Sequence, residues 1–255
     1  ALDAPAVTEM DREITARPDD PQLYAHRAFL HLEHGDWKAS LADADQADRL
    51  KKGDPAVDLI RGRALAAGGR MKEAMAVLDR FVAANPGHPV GLMQRARVRS
   101  ELGEPAQAAD DYALGYRAVA TPEPDQVFEL VSFLCNAGRK DAAIAAIDAA
   151  LTRMHGLQSL VDRAVQIEME LGRHDTALRR MDEAIRVAKV KEPLLAKRAA
   201  LLAQSGRARE SIAAWKDLQA RIAAMPPLER GSNAMSRLIE QARHAVESLA
   251  SISEK

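Results

Sequence analysis

Gly69-Arg70-Met71-Lys72-Glu73-Ala74 is a glycine followed five residues later by a small side chain, and the chain uses this arrangement six times. The pairs are Gly35/Ser40, Gly69/Ala74, Gly103/Ala108, Gly138/Ala143, Gly172/Ala177 and Gly206/Ser211. Successive glycines are 34, 34, 35, 34 and 34 residues apart. The chain has only 14 glycines in 255 residues. Four further in-register hits by chance have odds on the order of 1 in 10⁵, so the period is structural. Apolar residues recur at helical spacing on both sides of each glycine, and each unit reads as helix, tight turn, helix. The glycine ends the first helix, where a left-handed backbone is cheap only without a Cβ. The small residue five places on lets the second helix close against the first.

The units begin at Pro21, Pro55, Pro89, Pro124, Gln158 and Glu192. A small residue recurs in the first helix at Ala28, Gly62, Ala96 and Ala199, with Val131 and Val165 in its place in two units. A large packing residue recurs in the second helix at Leu78, Tyr112, Ile147, Met181 and Trp215, with Ala44 in the first unit. A closing proline stands at Pro86 and Pro18; Lys52 and Lys189 replace it elsewhere. Over roughly residues 21 to 225 this pattern resembles the tetratricopeptide repeat (TPR) family. The resemblance implies an all-α, right-handed superhelical solenoid of six helix-turn-helix repeats with N-terminal and C-terminal capping helices. It also implies a protein- or peptide-binding concave groove and no single activity. The expected division is residues 1–20 as an N-terminal half-repeat cap, 21–225 as the six repeats and 226–255 as a C-terminal capping helix, with thirteen to fifteen helices in all.

Composition narrows the function. Lys+Arg is 36 against Asp+Glu 37, a net charge of -1. That balance argues against a nucleic-acid partner. Hydrophobic residues at 47% suffice for a continuous core, and aromatics are only 4%, consistent with small helix–helix contacts. Cys135 is the single cysteine, which excludes an intrachain disulfide and a Cys-based metal site and reads as a packing residue. No stretch approaches 18 apolar residues, so no membrane span is expected.

At the N-terminus, Asp3 and Pro5 suit a helix start, and Val7, Met10 and Ile14 make an apolar stripe. A chain opening at Ala1, in mid-unit, fits a mature protein behind a cleaved signal. An extracytoplasmic (periplasmic or secreted) location is therefore favoured over a cytoplasmic one. Ala120-Thr121-Pro122-Glu123-Pro124-Asp125 carries the one extra residue, which should lengthen a loop or alter the stacking. After Pro226-Pro227, Glu240 replaces the glycine that a seventh turn needs, so one long helix is expected, broken at most near Gly231-Ser232. Its stripe of Met235, Leu238, Ile239, Ala242, Val246, Leu249 and Ile252 should dock on the sixth unit. A dimer through this helix is the alternative, and a monomer or weak homodimer is expected.

No catalytic constellation of nucleophile, base and orienting group is visible, so an enzyme is not expected. His31 and His34, three apart on a helix, could face one metal, but no HExxH pattern and no third ligand accompany them. No metal and no cofactor are expected. Asp43, Asp45 and Asp48 lack the glycine and distal glutamate of a calcium loop and read as a solvated face, as does Asp110-Asp111. Arg27, Arg61, Arg95 and Arg198 each precede the small residue of a first helix and should brace neighbouring units.

The resemblance implies that the first helices line the concave side, and by the helical period places two, five, nine and twelve of each unit should then point into the groove. Six residues make the candidate peptide-binding groove: Phe29, Leu59, Arg63, Met93, Arg97 and Phe128. Four are large apolar residues expected to be exposed, surrounding two arginines suited to bidentate carboxylate recognition. The expected partner is a protein or peptide, specifically an acidic, partly apolar segment, and Glu33, Asp36 or Glu101 could instead neutralise the arginines. The rest of the groove reads as smaller and more polar. The family's chaperone-tail binders clamp a terminal carboxylate with lysine and asparagine, where this chain has Ala25 and Phe29. The alternative function is a structural or chaperone-like subunit of an envelope or secretion assembly, acting through its convex face or C-terminal helix.

Overall fold

The structure is a computed structural model that describes residues 4–154 and 157–253. Ala1, Asp3 and the side chain of Ile252, invoked above, lie outside what is described. Among the described residues there are fifteen helices and no strand. They divide into two compact units, one ending at Arg139 and the other beginning at Lys140. The division falls in a helix–helix turn and not in a linker.

The first unit contains α1 (Ala4–Ala16), α2 (Pro21–Glu33), α3 (Trp37–Leu50), α4 (Pro55–Ala67), α5 (Met71–Ala84), α6 (Pro89–Glu101), α7 (Pro105–Arg117) and α8 (Pro124–Asn136). Proline occupies the first turn of α2, α4, α6, α7 and α8, where its missing N–H costs nothing. Asp20, Asp54 and His88 cap α2, α4 and α6 through their side chains, and Glu123 and Gln126 form a capping box on α8. The turn glycines take positive φ, +74° at Gly69 and +73° at Gly138. At Gly69 the N–H bonds back to Ala66 and that of Arg70 to Leu65, both at 2.9 Å, closing the last turn of α4. The extra residue lengthens the α7–α8 loop, which runs over 118–123 where the α5–α6 loop runs over 85–88.

In the α4–α5 pair the small and large residues meet. A Cβ on Gly62 would stand 2.7 Å from Leu78 Cδ2, so only glycine admits that leucine there. Tyr112 stacks on Phe133 with ring centroids 4.8 Å apart. Part-buried arginines join neighbouring helices through ion pairs. Arg95 donates twice to Asp111 at 2.7 Å and once to Asp79 at 3.1 Å, and Arg99 lies 3.0 Å from Asp111. Arg27 does the same with Asp43 and Asp11. The bracing arginine thus stands 16 residues from each carboxylate. Arg61 and Arg198 keep only the earlier one, Asp45 and Asp182. This corrects the expectation of a solvated aspartate face: Asp43 and Asp111 are buried, while Asp45, Asp48 and Asp110 remain outside.

The second unit contains α9 (Lys140–Arg153), α10 (Gln158–Glu170), α11 (His174–Val187), α12 (Glu192–Gln204), α13 (Ala208–Ala223), the single turn α14 (Pro227–Arg230) and α15 (Asn233–Ser253). Arg180 bridges Glu168, itself buried, and Asp148. Arg173 and Arg207, each directly after a turn glycine, reach back to Asp141 and Asp175, 32 residues earlier. The stripe of α15 packs on Trp215, Leu218 and Ile222 of α13 and on α12, with Met235 and Ala242 buried.

Candidate functional site

A cleft of about 430 Å³ opens on the first helices of the first unit. Leu32, Ala66, Met71 and Val98 give it an apolar floor, and Arg63, Gln94, Arg97 and Glu101 its polar wall. Arg63 on α4 and Arg97 on α6 occupy the same place in successive repeats, so one helical register brings both guanidinium groups to one cleft. This is the juxtaposition the helical period anticipates.

The two arginines are held very differently. Arg63 makes one hydrogen bond, 2.8 Å to Glu33 at the end of α2, and lies over the exposed Phe29 ring at 5.8 Å. Glu33 is half exposed, so water competes for this pair, and its net worth is no more than about 1 kcal/mol. Arg97 makes two bonds to Glu129 on α8, at 2.5 and 2.7 Å, and Tyr112 donates to the same carboxylate at 2.7 Å. Such a bidentate, charge-assisted pair is stronger and geometrically fixed. Burial pushes the Glu129 carboxyl up, but the hydrogen bonds from Arg97 and Tyr112 outweigh it and leave its pKa below the usual range. The bond to Glu129 raises Arg97, and burial followed by that same carboxylate raises Tyr112. Arg97 therefore stays charged and anchored, whereas Arg63 can exchange its partner.

The apolar candidates separate. Phe29 is exposed beside Arg63, as expected. Met93 is not exposed: only 5% of its surface meets solvent. The reason is Gly115 on α7, where a Cβ would stand 3.2 Å from Met93 Cγ; its absence lets α7 close over the methionine. Leu59 is half buried against the α5 and α6 side chains. Phe128 is half buried on α8 and does not line the cleft. Ala25 is buried. Glu129 and the Tyr112 hydroxyl escape the sequence reading. The signal for Glu129 was a separation of 32 residues, which also relates Gln22 to the Asp54 it contacts at 3.1 Å.

The second unit has a cleft of its own, about 450 Å³, and it is not the more polar one expected. Val165, Met169, Met181 and Leu201 line it, with Asp162 and Lys197 paired at its edge. The nine-place residues Gln166 and Ala200 lie in it; Met169 is part-exposed there, and Met181 is buried beneath it.

The tetratricopeptide repeat family model matches residues 27–89, the stretch from α2 to the start of α6 that carries Phe29 and Arg63. Among solved structures, the C-terminal part of a TPR repeat-containing protein from Cytophaga hutchinsonii aligns at a TM-score of 0.66 and 16% identity, over 93% of this chain and 93% of that one. YrrB, described as a TPR protein with an unusual peptide-binding site, aligns at 0.57 and 19%, over 69% of this chain and 91% of its own. A thermophilic TPR protein from Thermus thermophilus aligns at 0.52 and 21%, over 64% and 89%. At these identities the likeness is one of fold. No curated protein gives a significant match.

Proposed function

We propose that this chain, whose residues 27–89 are tetratricopeptide repeats in a tetratricopeptide-type fold, is a non-enzymatic scaffold that holds a segment of a partner protein in the cleft of its first unit. One observation carries the reading: Arg63 and Arg97 flank a single apolar-floored cleft, and one of them is only loosely engaged. A partner carboxylate displaces Glu33 from Arg63 at little cost, because Glu33 regains water as it swings out. Apolar side chains of the same segment then cover Leu32, Met71 and Val98, and Phe29 closes over the exchanged ion pair. Arg97 serves as a fixed wall, because releasing Glu129 breaks two charge-assisted bonds and leaves a partly buried carboxylate with only the Tyr112 hydroxyl. The preferred ligand is thus an acidic residue beside aliphatic ones. The peptide-binding site of YrrB supports a peptide role for this fold by analogy alone.

Selection of a random peptide-display library on the intact chain tests this. The reading expects recovered peptides that share an Asp or Glu within a few positions of Leu, Ile or Val, and that fail to bind the Arg63→Ala variant. Peptides without a shared acidic residue, or ones that bind Arg63→Ala equally well, would overturn it.

A further inference from the structure

The large aliphatic side chains most open to solvent among the described residues are Val187 (78% exposed), Val190 (62%) and Leu228 (90%), all in the second unit. Val187 ends α11, Val190 follows in the α11–α12 loop, and Leu228 sits in α14. Val190 lines an open depression of about 710 Å³ walled by Ala224, Met225, Pro226 and Met235, and Glu229, next to Leu228, lines it too. Val190 in this hollow, with Val187 three residues before it in the chain and Leu228 next to the lining residue Glu229, makes an unpartnered apolar surface.

Charge decides what covers it. The charged residues that line the hollow are two cations, Lys189 and Arg221, and two carboxylates, Glu192 and Glu229. Glu192 is buried and already accepts from Arg221 at 2.5 Å, and Arg230 donates to the Ala223 carbonyl. Lys189 and Glu229 remain as opposite charges on the rim of the same hollow. An anionic bilayer or a polyanion is met by charges of one sign. A two-fold contact brings a surface against itself, and a rim carrying both signs satisfies that without repulsion. We propose that this edge is a self-association surface whose occupant is the same edge of a second copy of the chain. The aliphatic tips of each copy enter the other's hollow, and Lys189 of one meets Glu229 of the other. The stripe of α15, spent on α12 and α13, is not the seam. Three aliphatic anchors are few beside the roughly 800 Å² per partner of a standard interface, so the dimer is a weak one.

Sedimentation equilibrium of the intact chain, from about 1 µM to about 500 µM, spans the weak-association range. The weight-average mass should climb from the monomer's 27.7 kDa towards twice that value. The double variant Val190→Asp, Leu228→Asp should stay at the monomer mass throughout. Leu114→Asp, at an exposed leucine of the first unit, should dimerise like the parent. Both replaced residues are exposed, and a thermal melt verifies folding; Val190→Ser with Leu228→Ser replaces the double variant if the melt fails. A mass fixed at the monomer, a dimer that survives the double variant, or one abolished by Leu114→Asp would each overturn the proposal.

Discussion

Individual side chains in this protein are worth very different amounts according to how far they sit from water. Asp110 and Asp111 are neighbours in sequence, yet one is exposed opposite Arg139 and the other buried between Arg95 and Arg99. Asp111→Asn leaves two part-buried guanidinium groups short of a counter-charge and should cost about 3–5 kcal/mol, read as a lower urea midpoint. Asp110→Asn should leave that midpoint nearly unchanged. The Glu129 cluster adds a pH signature. Its carboxyl titrates below the ordinary value of 4.5 in the folded chain, so the folded state binds that proton less readily than the unfolded one. The stabilisation is complete above the unfolded value and is lost as pH falls through the lower folded value. Melting temperatures taken between pH 5 and pH 3 should therefore fall less steeply for Glu129→Gln than for the parent, after allowing for the variant's lower starting stability. The Arg–Asp braces were legible in part, because the arginines recur with the repeat. Two of their carboxylates, Asp43 and Asp111, are buried where a solvated face was expected, because a local run of aspartates does not reveal which one faces a neighbouring helix. Glu129 was missed for the same reason: its partner is 32 residues away.

Helices and turns were far more legible, because their signals are local. The six unit starts, Pro21, Pro55, Pro89, Pro124, Gln158 and Glu192, are each the first residue of a helix, and each of these six helices is 13 residues long. The turn at Gly138 tests this directly. Its φ of +73° is strained for any side chain with a Cβ, although no atom stands within 4 Å of where one would go. Gly138→Val should therefore destabilise by roughly 1–3 kcal/mol through backbone strain alone, and an unchanged thermal midpoint would mean that the turn relaxes freely. What the helical period could not supply was depth. Met93 and Leu59 hold the same place in successive repeats, but Gly115 draws α7 over Met93 alone. Groove residues chosen by place number are reliable only where the facing helix is known.

At the scale of the whole molecule, near-neutral charge conceals extensive internal pairing, and the apolar faces are covered at the chain's far end by α15. Removing residues 228–255 strips that cover from Trp215, Leu218 and Ile222. The truncated chain should bind a hydrophobic dye such as ANS and associate at concentrations where the intact chain does not aggregate; a truncated chain that stays dark and equally stable would refute the capping role. On the proposed reading the chain is a binding scaffold, and the first unit's cleft is where two arginines, an apolar floor and the solvent-accessible Arg63–Glu33 pair coincide. The most direct test is calorimetric titration of a display-selected acidic peptide into the intact chain and into Arg63→Ala. Loss of a charged hydrogen bond should weaken binding by roughly 1.5–3 kcal/mol while the melting temperature stays close to the parent's. Equal affinity for both proteins would contradict the account and remove the cleft as the binding site.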